Sequence, residues 1–134
     1  MYLRARDLLK LGQLVLDQGR WHGEQVVSEK WIEESTAFHL PRPAAGEAAG
    51  YGYQWWRTLQ YFPRGSVPVI YGIGYGSQYL WIFPKLAMVM VVFHHNPRPG
   101  EYRHSMDLDE VRETIVPAIA ADKLTGFCLF KICF

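Results

Sequence analysis

Three glycines at alternate positions, Gly72, Gly74 and Gly76, interrupt the run VIYGIGYGSQYLWIFP (residues 69–84), whose other residues are mostly those of a β-strand. A glycine inside a strand has an entropic cost and leaves a gap in side-chain packing. Either the backbone must turn there, or something must come close to it. A phosphate cradle fits badly, because the pattern is Gly-x-Gly-x-Gly and strand rather than helix follows it. Other residue types invite their own chemistry. His94 and His95 are adjacent, so on a strand they point to opposite faces and do not share one ion; His22, His39 and His104 fall in loops or turns. Asp107, Asp109 and Glu110 stand at the start of an expected helix, where acidic residues complement the dipole. Tyr53, Trp55, Trp56 and Tyr61 could stack on a flat ligand. Alternation puts Tyr53 and Trp55 on one strand face, as candidates for lining a pocket, and Trp56 on the other. Cys128 and Cys133, the only cysteines, make neither a metal site nor a disulfide scaffold. The residues imply no metal and no cofactor.

The elements that must position these residues are legible as a short series. RARDLLKLGQLVLDQG (4–19) reads as a helix with Leu8, Leu11 and Val15 on its apolar stripe, Leu14 and Leu16 widening it, and a stop at Gln18–Gly19. SEKWIEEST (28–36) reads as a short second helix with Ser28 as its N-cap. Residues 37–50 read as a Pro/Ala/Gly loop. Strands are expected at 51–62, 68–76, 77–83 and 86–95. A turn around Pro63–Gly65 and the short Pro84–Lys85 step connect them. The last strand is apolar almost throughout, which predicts burial on both faces. After a loop at 96–105, residues 106–124 predict a helix interrupted at Pro117. Short connections favour antiparallel pairing, so the fold class is α+β, with helices packed on an antiparallel sheet.

At 134 residues the chain is one domain's worth, and 49% hydrophobic with 20% charged residues is an ordinary globular composition. The formal net charge is +1 and the basic residues are scattered, so no footprint for nucleic acid is present. No apolar run approaches the ~20 residues that span a bilayer. The first ten residues lack a basic-then-apolar leader layout.

Several segments together resemble the C-terminal part of the serine beta-lactamase-related hydrolases, the group of class C beta-lactamases, penicillin-binding DD-peptidases and many esterases and amide hydrolases. They are RDLLKLGQLVLDQGRWHGEQVVSEKWIEEST, then YGYQWW, then YGIGYGSQYLWIFPKLAMVMVVF, in order over residues 1–121. The most specific set is Gly19, Trp21, Gly23, Val27, Ser28 and Trp31, followed by Tyr51-Gly52-Tyr53-x-Trp55-Trp56. The resemblance implies the C-terminal portion of the beta-lactamase/DD-peptidase fold, with residues 122–134 as an unassigned tail. It also implies that the family's third signature, Lys or His followed by two small residues, falls on Tyr75-Gly76-Ser77. There the N–H of Gln78 or its neighbour would donate into an oxyanion hole. Tyr75, in place of the usual cation, offers a hydrogen bond but no positive charge.

The family's other two signatures are absent from this chain. Ser28, Ser35, Ser66, Ser77 and Ser105 are followed three residues later by Trp31, Phe38, Val69, Leu80 and Leu108, so no Ser-x-x-Lys is present. No Tyr or Ser precedes an Asn by two. What the resemblance implies is therefore a fragment of a serine hydrolase of amides or esters, inactive alone, with Met1 as an internal methionine of a longer chain. Alternatives are a non-catalytic binding module, one chain of a split enzyme completed by a partner chain, and a homodimer through an exposed sheet edge. Full-length members of the family are often exported to the periplasm.

Overall fold

The computed structural model describes residues 3–41, 49–62, 65–74 and 78–93, with the isolated positions 114, 117 and 118. Helix α1 (Ala5–Leu16) leads into a hairpin of β1 (Arg20–Trp21) and β2 (Glu24–Gln25), then helix α2 (Glu29–Ser35). Six strands follow: β3 (Leu40–Pro41), β4 (Gly50–Tyr51), β5 (Trp56–Phe62), β6 (Gly65–Gly74), β7 (Gln78–Phe83) and β8 (Met88–Val92). They form one sheet in sequence order, and every neighbouring pair is antiparallel. The architecture is α+β, as the chain's pattern predicts.

The period-2 alternation of β6, β7 and β8 builds two cores, one on each face of the sheet. On the first, Val67, Val69, Tyr79, Trp81, Phe83 and Leu86 are buried with Tyr71, Met88, Met90 and Val92 against them. On the second, Ile70 and Ile82 meet Val15 of α1 and Ile32 of α2, with Leu16, Val27, Trp55 and Val89 around them. Ile82 and Phe83 point to opposite faces and are 0% and 2% exposed, so each core has its own anchor.

Helix α1 lies on the second face, over β7 and β8. It approaches closely because Gly12 faces the sheet: a Cβ there would collide with Val89 Cγ1 and reach within 2.8 Å of Leu80 Cδ1. That close seat rotates the expected stripe. Gly12 and Val15 are its buried residues, while Leu11 is 45% exposed. Helix α2 is capped as expected, the Ser28 Oγ accepting the Trp31 N–H at 3.2 Å.

Three further expectations need correction. The strand read over 51–62 is two strands, because residues 52–55 turn: the Gly52 N–H donates to the Trp55 carbonyl at 2.7 Å and Gln54 adopts φ +66°. The loop read over 37–50 carries β3 and the start of β4. The short hairpin connection expected at Pro84–Lys85 is present, as a single 3₁₀ turn, Pro84–Leu86, closed by Ala87 in the left-handed region. Strand β8 is half-buried at all five positions rather than buried on both faces, since it is the last strand in the sheet order. The loop 96–105, the tail 122–134, and the helix read over 106–124 apart from positions 114, 117 and 118 lie outside the described residues.

Candidate functional site

The end of β6 extends beyond its neighbour. Pairing with β5 runs from Phe62↔Gly65 to Trp56↔Tyr71 and stops there. Pairing with β7 continues through Gly72↔Leu80, Ile73↔Tyr79 and Gly74↔Gln78. Three residues of β6 therefore have a ladder partner on one side only, among the described residues. The cause is local: the 52–55 turn takes the chain out of the ladder just before Trp56, so β5 begins too late to cover Gly72, Ile73 and Gly74. A strand margin of this kind presents backbone N–H and C=O groups to whatever lies beside it.

Gly72 and Gly74 lie on the second face, two and four residues beyond the buried Ile70. Neither has a positive φ. Among the described residues, the nearest atoms to a Cβ on Gly72 and on Gly74 are Trp55 Cζ3, at 4.0 Å, and Gln78, at 3.6 Å or more. Other glycines contrast with them. Gly19 has φ +82° and its Cβ would collide with the Val27 carbonyl oxygen; the Cβ of Gly50 would strike the Phe38 ring and that of Gly52 the Ser35 carbonyl oxygen. Conformation or packing in this chain explains those three. Neither explains Gly72 and Gly74 among the described residues, where the two positions form a shelf with only ordinary contacts.

The residues singled out from the sequence are distributed unevenly about this shelf. Gln78 is the first residue of β7, exposed, with its side chain beside Gly74. Trp55 is half-buried, packs on the second core, and brings the edge of its ring to Gly72. Tyr53 does not share a strand face with Trp55, because both precede β5; it belongs to the turn and stacks on His39. Tyr75, Gly76 and Ser77 lie outside the described residues, between β6 and β7. The sequence reading therefore missed how the alternation of Gly72 and Gly74 combines with the end of β5. The signal was present as Gly52 and Tyr53 just before the tryptophan pair, a turn composition inside an aromatic run.

The remaining candidates add no second cluster. His22 sits at φ +49° in the β1–β2 turn, edge-on to Trp21 at 4.9 Å, and His39 is on α2's flank. His94, His95, His104, Asp107, Asp109 and Glu110 fall outside the described residues. Among the described residues no three His, Cys, Asp or Glu side chains converge as metal ligands, and no described helix is long and apolar enough to cross a membrane.

No protein-family model matches the chain. Over 107 residues, 75% of its length, it is 35% identical to the 6-aminohexanoate-dimer hydrolase of Paenarthrobacter ureafaciens, of which it covers 26%. Among solved structures it is similar to a protein of Bacillus anthracis provisionally named a 6-aminohexanoate-dimer hydrolase. That likeness has a TM-score of 0.56 and 27% identity, and covers 91% of this chain and 29% of the other. The chain thus spans less than a third of the length of either relative. Both likenesses support kinship with the beta-lactamase-related hydrolases.

Proposed function

We propose that this chain is the C-terminal part of a beta-lactamase-related serine hydrolase and supplies the strand that borders its active site. Residues 1–121 are then a segment of the catalytic domain, and 122–134 stand apart from it. The whole enzyme would cleave an amide or ester in two steps. A serine Oγ attacks the carbonyl carbon, its proton passes by way of the base to the departing amine or alcohol, and an acyl-enzyme forms. Water then attacks the same carbon, frees the acid and restores the serine. Nucleophile and base come from polypeptide other than this chain, which has no Ser-x-x-Lys.

The observation that carries this reading is the end of β6, where, among the described residues, a backbone margin paired on one side only coincides with two uncrowded glycines. Backbone N–H groups at such a margin are suited to a carbonyl oxygen that gains negative charge, each donor being worth about 3 kcal/mol in the transition state. Glycine keeps the approach open, since a Cβ on either residue would project from the same face. Tyr75, Gly76, Ser77 and Gln78 continue the lining, with a phenol in place of a cation. Trp55 walls the pocket, while Tyr53, expected beside it, instead stacks on His39 next to α2. The 6-aminohexanoate dimer of the relatives' names is the first substrate to try.

A chimera tests the proposal: residues 1–121 replace the matching segment of the Paenarthrobacter enzyme, and p-nitrophenyl acetate is added. An acetyl adduct on the chimera's serine, seen by mass spectrometry, is the expected result. A folded chimera that never acylates would refute the assignment.

A further inference from the structure

A second group of rings, on the surface of α2, takes no part in the β6 shelf. Trp31 and Tyr53 are 52% and 47% exposed, yet both are held in place. Their ring centroids are 5.8 Å apart at 30°, and His39 stacks on Tyr53 at 4.3 Å and 10°. The Tyr53 N–H donates to the Ser35 carbonyl at 2.8 Å, and His39 Nε2 lies 2.7 Å from the Glu34 carbonyl oxygen. Glu34 follows Trp31 by three positions, so both project from one side of the helix. Its carboxylate is about half exposed and reaches within 3.6 Å of His39 Nε2.

Two large rings held against each other at the surface present a contiguous aromatic area that a ligand can cover. Ring faces carry negative charge density and attract cations, Trp most strongly, and a carboxylate at the rim adds to the attraction. Among the described residues, Arg57 is already engaged: its guanidinium lies 4.9 Å over the Phe38 ring and donates to the Thr36 carbonyl at 3.2 Å. Lys30 is one residue before Trp31, hence ~100° away around the helix axis.

We propose that Trp31, Tyr53 and Glu34 form a binding subsite for an organic ammonium group, such as the amine end of a chain-like ligand. The site stands on this chain alone and goes beyond the hydrolase assignment, so its binding test is independent of catalysis. The chain is titrated with hexylammonium chloride while the indole N–H resonance of Trp31, identified with Trp31→Phe, is followed by NMR. A saturable shift is expected with a Kd of roughly a millimolar, and 1-hexanol at equal concentration leaves the resonance in place. Glu34→Gln and Tyr53→Leu each weaken binding by roughly three- to tenfold, with the rest of the spectrum unchanged. The proposal is overturned by a resonance that does not shift up to ~50 mM ligand, by an equal response to 1-hexanol, or by unaltered affinity in Glu34→Gln.

Discussion

At Gly19 the chain leaves α1 with φ +82°, and an added Cβ would run into the Val27 carbonyl; at Gly74 the φ is not positive and an added Cβ would meet Gln78 at ordinary van der Waals distance. The same residue type thus serves opposite ends, and substitution separates them. Gly19→Ala is expected to destabilise the fold by more than ~1 kcal/mol, because a side chain is strained in the left-handed region and has nowhere to go. Gly74→Ala is expected to leave the melting temperature unchanged or to raise it slightly, since alanine loses less backbone entropy on folding. Thermal melts followed by circular dichroism would check both; a large loss at Gly74 would mean that the glycine is structural after all. The residue types alone raised the question of Gly72 and Gly74. Answering it required the ladder register, a non-local property that no local pattern encodes.

The elements were most legible where one local device dominates. Ser28 capping α2 is such a device, and Ser28→Ala should cost about 1 kcal/mol in urea unfolding, with Ser28→Asp largely retaining stability. The hairpin strands β7 and β8 were legible for the same reason, as β-branched, aliphatic and aromatic residues on either side of the short Pro84–Lys85 connection. Less legible was the stripe of α1. Periodicity marked Leu11 as core, yet the small Gly12 lets the helix close on Val89 and Leu80 and turns Leu11 outward. Leu11→Ala should therefore cost under ~1 kcal/mol, whereas Ile82→Ala, at a fully buried position, should cost ~2–5 kcal/mol. Equal losses from the two would contradict the packing described. The split of 51–62 was obscured by its aromatic composition, which favours strand at every position, so that only the turn's hydrogen bond at Gly52 decides it.

As a whole molecule the chain carries a sheet with two cores and a β6 end that, among the described residues, is paired on one side only, and it has no Ser-x-x-Lys. Incubated alone with a beta-lactam or an activated ester, it should show no covalent adduct by mass spectrometry, since no serine here has a lysine three residues on to activate it. The fold is legible because each strand pairs with its neighbour in sequence, so local patterns specify it; the activity is not, because no serine here carries the lysine of a Ser-x-x-Lys pair. The most direct test of the central claim places Gly74→Val in the chimera with the Paenarthrobacter enzyme and measures kcat for the 6-aminohexanoate dimer together with the melting temperature. Closing the β6 shelf is predicted to lower kcat by ~100-fold or more, the scale of losing one oxyanion donor, with the melting temperature held. Undiminished turnover in a folded Gly74→Val chimera would contradict the account, because the margin of β6 would then border no reacting group.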